Sequence, residues 1–382
     1  MSTATIDASQ QRTGVGADYL FLALPIFATA ILIALVLFDR QPASAGLILG
    51  GFALGIAFFK AEFSFTGAWR RFLTKGDAGG LLAGLIVIAV AALVIVPVAA
   101  LSPKFGGAIA PLGPSLVIGA FTFGVGMQLA NGCGSGTLYT AGAGSGRMLL
   151  ALAGFIVGAV FGSLSLPAFL ALGGINPVIA SDYFGPWGGV AATLVSLALA
   201  AFIIALVAKR RGGGITPSRK MVIGGIVIGL LCIAVFYAGG HPWSVTFGYT
   251  VWGAKIFSAF GFDFSHAAFW QWPGPHHALE SSILSDTSSL TDFGLLFGAM
   301  AAAAAGKPFA AGAWPPARSL LAALIGGLLM GWGARLGFGC NIGAFVSGVA
   351  SGSLHGWVWF AAALCGCLVG IRLRPLFGLS RD

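Results

Sequence analysis

Charge is what this sequence has least of. Of its 382 residues only 8% are Asp, Glu, Lys or Arg, 58% are hydrophobic, and mean hydropathy is +0.95. A soluble domain of this length could not solvate its surface with so few charges, so that class is excluded. Cysteine is sparse too: five, an odd number, scattered through apolar segments with no CxxC and no Cys/His frame. That excludes a disulfide scaffold and a zinc site. No GxxxxGK[ST] run occurs, which argues against direct drive by ATP. No haem, quinone or nucleotide motif is present, so no cofactor is expected.

The net charge of +9 does not point to nucleic acid. The basic residues form short clusters between apolar runs: "WRRFLTK" (Trp69 to Lys75), "KRRGGGITPSRK" (Lys209 to Lys220) and "RLRPLFGLSRD" (Arg372 to Asp382). Such clusters mark the cytoplasmic loops of a protein embedded in a lipid bilayer. The apolar runs lie at 19–38, 46–59, 79–101, 114–130, 148–172, 189–208, 221–240, 291–306, 319–336 and 357–371. They predict an all-α polytopic membrane protein with nine to ten transmembrane helices. Several runs are short and interrupted by glycine, as in re-entrant segments that line a path.

Placing Lys209–Lys220 in the cytoplasm puts 60–78, 307–318 and both termini there as well. Residues 241–290 then form one long external, non-spanning loop. Its Trp243, Trp252, Trp270 and Trp272 suit an interfacial belt. "HHALE" (His276 to Glu280) reads as an exposed loop rather than a metal site, for want of a second ligand cluster. The run Tyr19 to Phe38 is long enough to span and has no small-x-small cleavage site after it, so it is expected to stay as an extra helix in an extension over 1–42.

One element repeats. Shifted by 207 residues, the window 119–136 falls on 326–343 with Gly119, Gly124, Gly126, Leu129, Gly132, Cys133 and Gly136 identical. Shifted back by 69 it falls on 50–67, where Gly50, Phe52, Gly55, Ala61 and Gly67 match and Ser64 holds the position of Cys133. Gly119, Gly124 and Gly126 are spaced for close helix contact in lipid. Gly132, Gly134 and Gly136 around Cys133, and Gly339 and Gly343 around Cys340, predict a broken helix with a new one starting near Thr137 and near Ala344. A helix start inside a membrane presents free N–H groups and a positive dipole end, a seat for an anion. Soft thiols with no carboxylate nearby suit a sulfur-containing anion. The competing reading is two structural thiols, which is how Cys232, Cys365 and Cys367 are read.

Other polar groups flank the thiols. Gln128, Asn131 and Asn341 are neutral donors for the wall of a path. Arg335, five residues before Cys340, and Arg147, 14 after Cys133, could each neutralise a passing anion or reach for an interface instead. His355 suits packing or capping better than proton relay, and Lys60 and Glu62 could pair with each other.

"GVGMQLANGCGSGTLYTAGAGS" (Gly124 to Ser145) and "GARLGFGCNIGAFVSGVASGSLHGWVWF" (Gly333 to Phe360) resemble the YeeE/YedE family of sulfur-transport membrane proteins. "FKAEFSFTGAWRRF" (Phe59 to Phe72) resembles that family's first motif, and the likeness runs from about Gly46 to Arg374. The resemblance implies uptake of thiosulfate or a related sulfur species across the bacterial inner membrane, passed between cysteines along a central path. It also implies a cytosolic sulfur carrier of the TusA type as a candidate partner. On this reading 43–210, with Ser64 and Cys133, and 211–382, with Cys340, are the two halves of a transport domain. By position, Cys133 and Cys340 match the two central family cysteines, whereas Ser64 stands where the family has a third. A hydroxyl donates a hydrogen bond but forms no thiolate, persulfide or disulfide. Either the first position on the path needs only a donor, or this chain carries a different substrate.

The resemblance implies a transporter rather than an enzyme. A thiol-dependent sulfurtransferase or redox protein using Cys133 and Cys340 is the alternative, as is an accessory subunit that docks a sulfur carrier. A thiolate about 4 Å from a dianion repels it by several kcal/mol even at an effective dielectric of 20, so neutral thiols that donate hydrogen bonds fit better than covalent relay.

Overall fold

The computed structural model describes residues 15–39, 41–306 and 315–382, with side chains from residue 21 onward. The expected N-terminal tail and most of the 307–318 loop lie outside the described residues. The chain runs through α1 (Val15–Phe38), α2 (Pro42–Ala61), α3 (Phe65–Lys75), α4 (Gly79–Leu101), α5 (Pro114–Ala130), α6 (Gly134–Gly142), α7 (Gly146–Leu170) and α8 (Ala180–Arg210). It continues through α9 (Arg219–Gly239), α10 (Thr246–Ala259), α11 (Pro273–Glu280), α12 (Thr287–Ala304), α13 (Ala317–Leu336), α14 (Ser347–Ala350) and α15 (Leu354–Leu373). A π-turn, Asn341–Val346, leads into α14. Among the described residues nine segments are long and apolar enough to cross a membrane. The protein is an all-α polytopic membrane protein. α12, with four hydroxyl residues and an aspartate in its first two turns, is not one of the nine, although it packs closely on α2.

The long helices meet through glycine. A Cβ on Gly51 or Gly55 of α2 would overlap the backbone of α12 at Thr291 or Leu295, and one on Gly294 or Gly298 would overlap α2 at Ile48 or Phe52. Gly124 lies against Ala363 of α15, while Gly119 and Gly126 lie against Leu336 and Gly326 of α13. Lipid offers helices no hydrophobic drive to associate, so contact of this closeness is what holds them together.

Two ends can be told apart. At the basic end Lys220 donates to Glu62 (2.7 Å), Arg211 donates to the carbonyls of Phe72 and Leu73, and Arg70 donates to Asn131. At the opposite end short bridges join Leu112 to Ile175 and Ile179 to Ser353, and the Gly106 N–H donates to Gly240.

The repeat is fourfold rather than threefold. In each unit a long helix breaks, a short helix follows, and a second long helix returns: α2–α3–α4, α5–α6–α7, α9–α10–α12 and α13–α14–α15. α2 packs on α12 and α4 on α9, and likewise α5 on α15 and α7 on α13, so the first unit pairs with the third and the second with the fourth. The breaks after α2 and α5 lie at the basic end, and those after α9 and α13 at the opposite end. Each break opens on left-handed backbone: Glu62 (φ 51°), Asn131 (φ 64°), Gly240 (φ 70°) and Phe338 (φ 59°). Among the described residues, Glu62, Asn131 and Phe338 are the only non-glycine residues with positive φ, a conformation that costs an L-residue energy. Two residues further on stand Ser64, Cys133, Pro242 and Cys340.

The third unit corrects the expectation for 241–290. That segment is no external loop throughout: α10 is a helix with Tyr249, Thr250, Val251 and Ala254 buried. Trp243 and Trp270 are buried as well, so neither belongs to an interfacial belt; Trp252 is half-buried and Trp272 is 37% exposed. His276 pairs with Glu280 within α11 (3.2 Å). Cys232 and Cys367 are buried, but Cys365 is exposed on the flank of α15, because two helical residues apart they cannot share a face.

Candidate functional site

The breaks deliver Ser64 and Cys133 in one geometry. Each is the N-cap of its short helix: the Gly67 N–H donates to the Ser64 hydroxyl (3.2 Å), and the Gly136 N–H donates to the Cys133 sulfur (3.3 Å). The glycine at the third helical position clears the cap, since a Cβ on Gly136 would stand 3.1 Å from the Cys133 sulfur. Cys340 occupies the same place ahead of the π-turn without closing a capping hydrogen bond. Both thiols are buried, at 2% and 0% exposure.

The two opposed breaks meet beside the Cys340 sulfur. A Cβ on Gly134, the residue after Cys133, would lie 2.9 Å from the Cys340 sulfur, and the Tyr249 hydroxyl donates to the Gly134 carbonyl (3.1 Å). This corrects the expected helix starts. α6 begins at Gly134 rather than near Thr137, and helical backbone resumes at Asn341 rather than near Ala344. Gly134 and Gly136 therefore leave room for sulfur inside a first turn instead of breaking a helix. Gly132 does lie in the break, beside Thr137 and Met148. In the last break Gly339 has φ 150°, and Gly343 faces the Ser244 hydroxyl.

A cavity of about 360 Å³ opens at the opposite end, lined by His241, Ser244, Thr291, Arg335, Gly343 and His355 among others. Gly343 brings it to within three residues of Cys340. Arg335 is its one permanently charged side chain. The guanidinium sits over the rings of Phe247 (5.6 Å) and Phe269 (5.5 Å), donates weakly to Thr250 (3.4 Å), and leaves its Nε without a partner. Among the described residues it has no carboxylate counter-ion, and its side chain lines the cavity. Burial holds the His241 imidazole below its ordinary pKa, so at neutral pH it adds no charge. His355 is buried and its Nδ1 meets the Ser353 hydroxyl (2.8 Å).

At the basic end a second, much narrower cavity of about 10 Å³ is lined by Ser64 with Glu62, Phe63, Arg71 and Met221. Ser64 thus lies across the molecule from the wide cavity. Neither thiol lines either cavity, and Phe58 stacked on Tyr139 (5.8 Å) and set beside Trp243 helps to close the space between.

The remaining candidates divide. Asn341 is fully buried with both side-chain polar atoms unpartnered, and the Gln128 oxygen is likewise free while its amide donates to the Thr66 carbonyl (3.5 Å). Asn131 is not beside the thiols as a wall donor: it is exposed and accepts from Arg70 (2.6 Å) and Arg374 (3.5 Å). Arg147 is bonded away from the thiols. It donates to the last carbonyls of α5, at Leu129 and Ala130, and to Ser319. Glu62 pairs with Lys220 instead of Lys60.

A family model described as "Sulphur transport" matches residues 60–369. The chain belongs to this family. A relative from Escherichia coli (strain K12), named "Probable transporter YedE", is 36% identical over 163 residues, 40% of this chain and 37% of that protein. The chain thus matches little more than a third of that relative's length. A relative from Spirochaeta thermophila, named "Thiosulfate transporter TsuA", is 27% identical over 334 residues, 81% of this chain and 93% of that protein. These relatives are named as transporters, not enzymes. α1 precedes the family match, which begins inside the last turn of α2.

Proposed function

We propose that this protein imports thiosulfate or a closely related sulfur anion across the bacterial inner membrane, with the basic end facing the cytoplasm and both termini inside. The observation that carries this reading is the contact between two opposed helix breaks that each hold a buried thiol, beside a cavity whose only permanent charge is positive. The anion enters at Arg335, exchanges water for N–H and S–H donors at Cys340 and then Cys133, and leaves past Ser64. The thiols stay neutral and act by hydrogen bonding, since conduction requires each site to release what it binds. Thiosulfate specificity draws support from the name of the Spirochaeta thermophila relative, which the chain matches over most of its length.

The test is uptake of labelled thiosulfate into cells that lack other sulfur importers. Expression of this chain is expected to raise uptake above that of empty-vector cells; equal uptake with protein present in the membrane overturns the reading. Ser64→Cys is expected to match or exceed the unmodified protein. A thiol can cap this helix start as Cys133 caps its own, and a Cβ on Gly67 would still clear the Ser64 oxygen by 3.4 Å. Loss of uptake in that variant would show that the hydroxyl, not merely a donor, is required.

Importing a dianion opposes the membrane potential. Two negative charges moved inward cost roughly 4–5 kcal/mol per 100 mV. A coupled cation is the physical means of offsetting that cost.

A further inference from the structure

One ionisable group inside the helix bundle has no role in the path just described. Asp292 lies in the second turn of α12, is 0% exposed, and has no hydrogen-bond partner on either carboxylate oxygen. Its Oδ2 packs against the bare backbone of α10, 2.8 Å from where a Cβ on Gly248 would stand. The next residue, Tyr249, donates to the Gly134 carbonyl, and Gly134 abuts the Cys340 sulfur. One short run of contacts therefore joins this carboxyl to the place where the two breaks meet. Within one helical turn of Asp292, Ser288 and Thr291 line the wide cavity, so the group lies close to water without touching it.

An unpaired carboxylate is costly to bury, and taking up a proton removes that cost. Every neighbour that could do so instead is accounted for. On its own helix Asp286 accepts from the N–H and hydroxyl of Ser289 at the helix start. From α10, Lys255 is committed to the carbonyls of Leu279 and Ser281, and Tyr249 to Gly134. α6 contributes Cys133 and Tyr139, both uncharged as thiol and phenol, and the π-turn follows Cys340. On α2 the only cation is Lys60, in its last turn at the basic end. α1 carries no titratable side chain over 21–38. A metal ion would need more ligands: among the described residues no group of three or more His, Cys, Asp or Glu side chains is placed to hold one.

We propose that Asp292 binds the proton that is co-transported with the sulfur anion. This rests on the transport reading above. With an anion at Cys340, the nearby carboxyl must be neutral, because two unscreened negative charges at such range repel strongly. With the anion released to the basic end that repulsion ends, and hydration of the carboxyl from the same side offsets the cost of its burial and lets the proton follow. Anion and proton therefore move together.

The test uses the full chain purified into liposomes, with labelled thiosulfate outside and a pH-sensitive dye inside. Each pH unit, alkaline inside, multiplies thiosulfate accumulation about tenfold for every coupled proton. Adding thiosulfate without a gradient acidifies the lumen. In Asp292→Asn, whatever thiosulfate flux remains no longer responds to the pH gradient. Accumulation in the unmodified protein that ignores the pH gradient, or that follows a sodium gradient instead, overturns the proton assignment and leaves the transport reading intact. An Asn variant that elutes as a single species and responds to pH like the unmodified protein overturns it as well. Absence of thiosulfate movement in every arm overturns the transport reading and this inference together. Because the proton flux of the unmodified protein is itself a readout, the test does not depend on the variant folding.

Discussion

Replacing Cys340 with alanine is expected to cut thiosulfate uptake by roughly one to two orders of magnitude while the protein still reaches the membrane. The sulfur is fully buried, packs on the bare Gly134 backbone, and caps no helix start, so its removal leaves the backbone unstrained. What disappears is the donor facing the anion. A hydrogen bond to a charged group contributes about 1.5–3 kcal/mol, so uptake should fall roughly 10- to 150-fold. Cys133→Ala should do the same and also orphan the Gly136 N–H, a cap loss of about 1 kcal/mol that lowers stability as well. Cys133→Ser separates the two effects. It keeps the cap, as Ser64 does with Gly67, but replaces a soft donor with a hard one. Uptake retained in Cys133→Ser and lost in Cys133→Ala supports relay by hydrogen bonding. Loss in both, with a persulfide trapped on the unmodified protein, would favour covalent relay. Normal uptake with alanine at 133 and at 340 would remove the thiols from the path altogether. Uptake normalised to membrane-inserted protein is the measurement.

Much of this architecture could be read from residue pattern, because a bilayer constrains sequence more simply than water does. Each long helix needed only a sustained apolar run, and even α12 showed itself through its alanine-rich second half. The two thiols were legible because the same glycine-framed cysteine recurred at one point of a repeat. The third unit was not. Its break has Pro242 where the others have Ser64, Cys133 and Cys340, and its short helix carries none of the glycine frame, so 241–290 resembled a loop. The left-handed residues that open three of the breaks were equally hidden. Glu62, Asn131 and Phe338 have no intrinsic need for positive φ, and tertiary packing imposes it. Glycine near the thiols follows a related logic. Gly134 and Gly136 looked like helix breakers by propensity, whereas their use is the space a Cβ would take from sulfur. Asn131 lies two residues before Cys133 but bonds at the basic end, since a break turns neighbouring residues in different directions, and Arg147, 14 residues after it, returns to the end of α5.

Arg335 carries the second large effect. Arg335→Leu is expected to raise the half-saturating thiosulfate concentration by roughly two orders of magnitude, since a charge-assisted contact in a desolvated site is worth about 3 kcal/mol. The side chain stands in the wide cavity with no carboxylate partner among the described residues, so its charge is available to an incoming anion rather than spent on a salt bridge. Phe247 and Phe269 hold the guanidinium plane, a contact a lysine ammonium reproduces only as a point charge. Arg335→Lys should therefore recover part of the affinity and not all of it. Ionic strength gives an independent readout. Salt screens attraction over about 8 Å at physiological concentration, so uptake below saturation should fall as salt rises in the unmodified protein and much less in Arg335→Leu. An unchanged half-saturating concentration in Arg335→Leu would mean that the anion approaches by another route, and the cavity would lose its place at the mouth of the path. A changed maximal rate with unchanged affinity would mean instead that Arg335 acts after binding, on the step that carries the anion down to Cys340.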